Sequence, residues 1–226
     1  MTENIYARDL SQEEVDADFH RVWVGGFWEE IGRLQFEFLV AQGLKPSMKL
    51  LDIGCGAFRG GVHFLRYLDI GNYFAVDRNR SLLHAGVSVE LPAAGIADRL
   101  PESNVLCTDR FDFALFETQL DMALAQSVFT HVDINQLRLC LANLAPAMRE
   151  DGVFYASFFE RPAEHPADEP FHVAKMNAET FSAADPYNYS MEDMRNVVRD
   201  LPWSIEYIGE WGHPRGQRML AFHKAG

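Results

Sequence analysis

Residues 50–60 read Leu-Leu-Asp-Ile-Gly-Cys-Gly-Ala-Phe-Arg-Gly, and this stretch decides the fold class. The apolar run 48–53 predicts a buried strand, and a helix follows it after a tight turn. Gly54 and Gly56 carry no Cβ, so a ligand can lie directly against the backbone of that turn. A dinucleotide-binding fingerprint has the spacing G-x-G-x-x-G, whereas here the third glycine comes one residue later. Asp52 precedes the first glycine, where its carboxylate repels a pyrophosphate and favours a cationic ligand.

Strands and helices alternate along the chain around this stretch. The predicted strands are Met48–Ile53, Tyr73–Val76, Val105–Cys107, Asp121–Ala125 and Val153–Phe158, and the predicted helices are Gly60–Leu68, one from about Ser81, one capped by Asp133 and one near Met191–Val198. This alternation predicts an α/β fold, a Rossmann-like doubly wound sheet that is mostly parallel. Two late strands, Ser204–Gly209 and Arg218–His223, predict an antiparallel C-terminal strand. In such sheets ligands bind beyond the carboxyl ends of the strands, where the strand order reverses.

The first 45 residues carry a helical pattern and precede the alternation, so we expect an N-terminal helical cap at 1–45 and a Rossmann-like domain at 46–226. Ser11 and Glu14 form a capping-box pattern at the helix start, and Gly25-Gly26 predicts a break in the helix. Residues 161–189 hold four prolines and no clear period. Connections of that length are often lids or binding loops, and we predict a lid insertion there.

The Asp-Ile-Gly-Cys-Gly turn at 52–56 resembles the first motif of class I S-adenosylmethionine-dependent methyltransferases, and Asp77, at the end of a strand, resembles the second. In that family the second acid accepts hydrogen bonds from both ribose hydroxyls, a role that suits a carboxylate. The resemblance covers roughly residues 48–160. The cofactor-binding residues that it implies are Asp52, Gly54, Cys55, Gly56, Arg59, Asp77, Arg78, Thr108, Asp109, Gln126 and Ser127.

Several of these residues have an alternative structural interpretation. Asp52 can cap the following turn, and Cys55 is interpreted as a small residue of the glycine loop rather than a nucleophile, because a reactive thiol needs a lowered pKa. Arg59 either pairs with the methionine carboxylate or lies in solvent. Gln126 and Ser127 follow a predicted strand at the place where the family contacts the methionine part.

Three positions are candidates for catalysis or for acceptor binding. His131 lies just before a capped helix and is a candidate general base, since histidine titrates near neutral pH; histidine at this place also occurs without a catalytic role. His213 and Arg215 lie in the turn before the last strand and are predicted to bind substrate, with a plain turn as the alternative. Trp28, near Trp23 and Phe27, is a further substrate-binding candidate, although helical spacing also fits ordinary packing.

Composition limits the classes of partner. The formal net charge of −13 disfavours nucleic acid as a substrate. Three widely spaced cysteines fit neither a disulfide framework nor a zinc site, and no metal is expected. The polar N-terminus lacks a signal-peptide pattern, and no apolar run is long enough for a membrane span, so a soluble, cytoplasmic protein without a membrane partner is predicted.

The sequence therefore predicts an S-adenosylmethionine-dependent methyltransferase acting on an oxygen or nitrogen of a small-molecule acceptor. Two alternatives remain open: a sensor or scaffold that binds S-adenosylmethionine without transfer, and a nicotinamide oxidoreductase, against which the glycine spacing and Asp52 argue. The identity of the acceptor, the need for a general base and the oligomeric state are not determined by the sequence.

Overall fold

A computed structural model describes residues 8–225 of the 226-residue chain. The described chain divides after Asp109 into two compact units. The first unit contains the glycine turn, and the second contains the predicted lid and the C-terminal strands. Each unit is described by itself below.

The first unit begins with three helices. They are α1 (Gln12–Asp16), α2 (Phe19–Trp23) and α3 (Trp28–Ala41). The capping box of Ser11 and Glu14 is confirmed, and so is the break at Gly25 and Gly26, which adopt φ angles of 93° and 65°. The chain turns once more at Asp18, which has a φ of 57°, so the helical pattern before the glycines forms two short helices rather than one.

Three parallel strands follow, with helices between them. The elements are β1 (Leu50–Ile53), α4 (Gly61–Tyr67), β2 (Tyr73–Asp77), α5 (Arg80–Ala85), a π-helical turn (Gly86–Glu90), α6 (Leu91–Ala93) and β3 (Val105–Cys107). β2 pairs with β1 on one side and with β3 on the other. All four residues of β1 are buried, as expected for a strand of a parallel sheet that is covered on both faces.

The second unit contains the remaining strands. Its elements are β4 (Leu120–Ala125), α7 (Ile134–Leu144), β5 (Met148–Glu160), β6 (Phe171–Val173), β7 (Ala178–Thr180), β8 (Asn188–Tyr189), α8 (Met191–Val197), β9 (Trp203–Glu210) and β10 (Arg218–Lys224). β4 pairs parallel with β5, and β10 lies antiparallel to both β5 and β9. The predicted α/β class, with mostly parallel strands, N-terminal helices and an antiparallel C-terminal strand, is confirmed.

The segment 161–189 is more regular than its sequence predicts. β6 and β7 form an antiparallel hairpin, and β8 adds a short parallel pairing to the end of β5. The strands are only two or three residues long, too short to produce an alternating pattern, so the sequence shows the prolines but not the hairpin. Among residues 8–225, no helix combines the length and apolar composition that crossing a bilayer requires.

Candidate functional site

The glycine turn after β1 has the backbone geometry that its sequence predicts. Gly54 and Gly56 adopt φ angles of 72° and 57°, a region that favours glycine. The N–H groups of Gly54 and Cys55 both donate to the carbonyl of Val76, at 2.7 and 3.1 Å. A Cβ on Gly56 would lie 3.0 Å from Cγ1 of Val24. The turn is therefore tied to the end of β2, and a side chain at Gly56 would press against Val24.

Asp52 lies inside the protein next to this turn. Only 3% of its surface is exposed, and its carboxylate accepts a hydrogen bond from the Tyr73 hydroxyl at 2.6 Å. Burial raises the pKa of Asp52 to about 6, because the charged form loses its hydration. The side chain is thus placed as an internal acceptor for Tyr73, and a contact with the cofactor stays a prediction.

Asp77, at the carboxyl end of β2, is held by the backbone on both sides. One carboxylate oxygen accepts from the N–H of Gly56 at 2.9 Å and the other from the N–H of Asn79 at 2.8 Å. Burial raises the pKa of this carboxyl, and these two backbone donors act in the opposite direction. An ionised carboxylate offers about four acceptor positions. Its orientation is fixed while acceptor capacity remains, which fits a vicinal diol such as a ribose.

The ends of β2 and β3 bring other predicted residues beside Asp77. The N–H of Thr108 donates to the Asp77 carbonyl at 3.1 Å. The thiol of Cys107 lies 3.6 Å from the carbonyl of Arg78. Arg78 and Asp109 are exposed at this edge. Their roles at the adenine stay predictions, but their positions are those that the sequence implies.

Arg59 makes a contact that the sequence does not predict. Its side chain is 8% exposed, and Nη1 donates to the carbonyls of Val24 and Gly26 at 3.0 and 2.8 Å. The guanidinium therefore fixes the turn between α2 and α3 against the glycine turn.

Burial raises the pKa of the Cys55 thiol well above its ordinary value, consistent with a small residue of the loop.

Asn79 and Ser81, which follow Asp77 in the chain, bind the N-terminal segment. The Asn79 amide donates to the carbonyl of Arg8 at 2.9 Å, and the N–H of Leu10 donates to the Ser81 hydroxyl at 2.8 Å. Asn79 also caps α5, and an Asn before a helix is the signal that could have identified it. Residues 8–10 thus cross the loop that follows Asp77.

Trp28 packs within the N-terminal helices. The Arg21 guanidinium lies 5.1 Å from its ring, and His20 meets the ring edge-on at 6.0 Å. Trp28 also packs against a buried apolar cluster that includes Ala57 of the glycine loop. Its predicted role in substrate binding remains a prediction.

One group in the first unit has potential metal-ligand atoms. Asp18, His20 and Glu90 place such atoms within 4.8 Å of one another. Glu90, however, accepts two hydrogen bonds from Arg21, at 2.7 and 2.9 Å, and lies 2.6 Å from His20. The guanidinium occupies the place beside the carboxylate that a cation would take, so this group is interpreted as a charge-paired contact between α2 and the π-helical turn.

A buried polar network follows β4 in the second unit. Ser127 has a φ of 61°, unusual for a side-chain-bearing residue. Its N–H donates to the Ser157 hydroxyl at 2.8 Å, and its own hydroxyl accepts from the Gln217 amide at 2.7 Å. The Ser157 hydroxyl donates to the oxygen of Gln217 at 2.7 Å. These bonds hold the turn of Gln126 and Ser127 in one conformation. Ser157 lies within a strand, where no sequence signal marks it as part of a site.

His213 belongs to the same network. The N–H of Arg215 donates to Nδ1 of His213 at 3.2 Å. The amide nitrogen Nε2 of Gln126 lies 3.0 Å from Nε2 of the His213 ring. Both ring nitrogens thus have partners, and His213 serves to orient Gln126. Substrate contacts of His213 and Arg215 stay predictions.

His131 lies in the same turn as Gln126 and Ser127. The Thr130 hydroxyl donates to the Ser127 carbonyl at 2.7 Å, and the N–H of His131 donates to the Val128 carbonyl at 3.0 Å. Nδ1 of His131 lies 2.7 Å from a carboxylate oxygen of Asp185. Sequence reasoning missed Asp185, because 54 residues separate the two partners.

Comparison with known proteins finds similar folds but no similar sequences. No family model and no curated protein sequence matches the chain. Among solved structures, it is similar to magnesium protoporphyrin IX methyltransferase from Synechocystis PCC 6803 with bound S-adenosylmethionine, at 15% identity and a TM-score of 0.59, over 98% of this chain and 89% of that chain. It is also similar to an S-adenosylmethionine-dependent methyltransferase from Clostridium acetobutylicum ATCC 824, at 12% identity and a TM-score of 0.63, over 96% of this chain and all (100%) of that chain.

A putative O-methyltransferase from Nostoc punctiforme PCC 73102 is a third similar structure, with 17% identity and a TM-score of 0.64, over 91% of this chain and 61% of that chain. Sequence identities this low establish the architecture and leave the chemistry to the residues of this chain. The chain has the fold of S-adenosylmethionine-dependent methyltransferases.

Proposed function

We propose that this protein is an S-adenosylmethionine-dependent methyltransferase whose acceptor is a small molecule, methylated on oxygen or nitrogen. The observation that carries the proposal is Asp77, a carboxylate held at a strand end by two backbone donors beside a glycine turn. A ribose supplies two hydroxyl donors to one carboxylate, and bonds to an ionised acceptor are stronger than neutral ones.

The residues of this chain would act mainly by binding and orientation. Bound S-adenosylmethionine supplies an electrophilic methyl group. Asp77 fits the ribose, the glycine turn lets the ligand approach the backbone, and the network around Ser127 fixes the polar turn assigned to the methionine part. Correct orientation of two reactants is worth about 7–11 kcal/mol of the barrier. The acidic net charge supports a metabolite rather than a nucleic acid as acceptor. One neighbour named above is a magnesium protoporphyrin IX methyltransferase, which is consistent with a metabolite.

Two further properties belong to the proposal. The sequence favours a soluble protein that is located in the cytoplasm. The cap at 1–45, the domain at 46–226 and the lid at 161–189 are the proposed functional divisions, with the acceptor determined by the cap and lid.

The experiment is calorimetric titration with S-adenosylmethionine, S-adenosylhomocysteine and NAD. We expect the first two to bind and NAD not to bind. Hydrogen bonds to a charged group contribute about 1.5–3 kcal/mol each, so Asp77→Ala should weaken binding by a factor of about 10–150 or more. Asp77→Asn keeps the shape of the side chain and separates loss of charge from loss of the turn. Asp98→Asn, an exposed aspartate of the same unit, is the matched control and should bind normally.

Binding of NAD alone would replace the proposal with a nicotinamide-dependent function. Binding of S-adenosylmethionine with no methylated product from any acceptor would favour the sensor or scaffold. Unchanged affinity in Asp77→Ala would refute the ribose assignment.

A further inference from the structure

The contact between His131 and Asp185 joins the turn after β4 to the predicted lid. The Nδ1–Oδ1 distance is 2.7 Å, and the two side chains are 25% and 16% exposed. The backbone holds the pair from both sides of His131. The N–H of Tyr187 donates to the carbonyl of Thr130 at 2.8 Å, and the Tyr189 hydroxyl donates to the carbonyl of Val132 at 2.8 Å.

Asp185, the partner of His131 in the predicted lid, lies in a loop with hydrogen bonds of its own. The N–H of Phe181 donates to the carbonyl of Pro186, and the N–H of Asn188 donates to the carbonyl of Phe181, both at 2.8 Å. Asp185 therefore belongs to a loop that these two backbone hydrogen bonds close. Three separate hydrogen bonds join the segment 185–189 to residues 130–132: Tyr187 and Tyr189 each donate one, and the Asp185 carboxylate accepts one.

This arrangement determines the proton positions of the ring. A carboxylate is an acceptor only, so Nδ1 of His131 carries a proton and donates it to Asp185. The lone pair of the neutral imidazole is then on Nε2. A carboxylate that fixes the tautomer and stabilises the imidazolium is the orienting partner of a histidine base.

Two other histidine–carboxylate contacts in the second unit lack this support. His172 and Glu179 face each other across the β6–β7 hairpin and are each about half exposed (51% and 49%). His223 and Glu206 are 40% and 60% exposed. Exposed pairs of this kind contribute little. The His131–Asp185 pair differs in its burial and in the backbone contacts that hold it.

The other titratable groups beside the His131–Asp185 pair are one aspartate and two tyrosines. Asp133 caps α7 two residues after His131, and Tyr187 and Tyr189 flank it from the lid. Burial raises the pKa of both tyrosines, and the negative charges of Asp133 and Asp185 act in the same direction. The tyrosines stay neutral near pH 7, so the charged side chains beside His131 are the carboxylates of Asp133 and Asp185.

We propose that His131 is the proton acceptor and Asp185 its positioning residue, and that the acceptor of the methyl group is a hydroxyl. The inference rests on the proposed function and names its substrate class. As the hydroxyl oxygen forms the new C–O bond, the C–S bond breaks and sulfur keeps the electron pair. The hydroxyl proton goes to Nε2 of His131, and Asp185 stabilises the resulting imidazolium until solvent takes the proton. A neutral amine attacks through its own lone pair and needs no such base, so the pair points to O-methylation.

The position of His131 within its own unit supports this assignment. Its turn also contains Gln126 and Ser127, the two residues assigned to the methionine part, which adjoins the reactive sulfonium. A general base contributes roughly 100- to 10,000-fold to a rate. A hydroxyl of low acidity gains most from such a base, because it has to give up its proton as it attacks.

The first test reads the tautomer directly, by NMR of protein labelled with ¹⁵N-histidine. Wild-type protein should show His131 protonated on Nδ1, and Asp185→Ala should lose that tautomer. Glu179→Ala removes the carboxylate of an exposed pair and should leave the His131 signals unchanged. A His131 tautomer that is the same in wild type and Asp185→Ala would refute the positioning role, whatever the protein binds.

The second test identifies the acceptor atom without knowing the acceptor. The protein is incubated with methyl-¹³C S-adenosylmethionine and a small-molecule metabolite extract, and the products are read by ¹³C NMR, in which O-methyl and N-methyl carbons are resolved. We expect an O-methyl product, formed at least 100-fold more slowly by His131→Gln. Asp185→Asn should also be slower and should add no further loss in the His131→Gln background, since the two act as a unit.

Each failure has a separate meaning. An N-methyl product, or no methylated product from protein that binds S-adenosylmethionine, refutes the hydroxyl assignment and leaves the cofactor proposal standing. If wild-type protein does not bind S-adenosylmethionine, the proposed function itself is refuted, and the hydroxyl assignment with it. Additive losses in the double variant refute the coupling of Asp185 to His131.

Discussion

Replacement of Asp52 by asparagine should change the pH dependence of stability. The carboxylate is 3% exposed and accepts one hydrogen bond, from Tyr73 at 2.6 Å. Burial raises its pKa from the ordinary 3.8 to about 6. Asparagine has the same shape and keeps an oxygen for the tyrosine, but it does not ionise.

The magnitude follows from the shift in pKa. Between 3.8 and about 6 the unfolded chain has released the proton and the folded chain still holds it, so the stability of the wild type falls as the pH rises through this window. Each unit of pKa difference is about 1.36 kcal/mol. The wild type therefore loses about 3 kcal/mol that the variant keeps, most of it between pH 4 and pH 7. A pH-independent cost of about 1–3 kcal/mol arises separately, because the new –NH₂ group is buried.

The assay is urea unfolding of both proteins at pH 4, 5, 6, 7 and 8. The difference in free energy of unfolding between variant and wild type should move in favour of the variant as the pH rises and become constant above the folded pKa. Asp98→Asn, at an exposed site, should show no such trend. A difference between Asp52→Asn and wild type that is constant across the series would refute the buried, ionisable state assigned to Asp52.

Two further substitutions test the packing that supports the site. Gly86→Ala should destabilise the protein by about 1–3 kcal/mol, because a Cβ there would lie 2.0 Å from Cδ2 of Phe58; an unchanged urea midpoint would contradict this contact. Ser157→Ala should cost about 1–3 kcal/mol, since it leaves the N–H of Ser127 and the oxygen of Gln217 without that hydroxyl. Thermal unfolding measures the loss, and a melting temperature equal to that of the wild type would show that the network is not intact in solution.

The local parts of the fold follow from short-range sequence signals. The Ser11–Glu14 capping box, the break at Gly25-Gly26 and the cap at Asp133 are each set by residues within four positions of one another, and all three are observed. The hairpin in the lid was not predicted, since strands of three residues carry no measurable alternation.

The candidate site divides in the same way. The sequence places Asp77 at a strand end after a glycine turn, because strand, turn and helix are local, and the resemblance gives the acid a role. The sequence does not show that Arg59 would bond to the carbonyls of Val24 and Gly26. That contact joins segments more than 30 residues apart, and only the folded chain brings them together.

The sequence by itself determined the α/β class, the alternation of strands and helices outside the lid, and the residues that the resemblance assigns to a cofactor. These depend on hydrophobic period, turn residues and helix caps, which act over a few residues. The tertiary structure decided which polar groups meet: Tyr73 with Asp52, Ser157 with Ser127, and Asp185 with His131. Those pairs are separated by 21, 30 and 54 residues, and their geometry follows from the packing of whole elements, which no local pattern encodes.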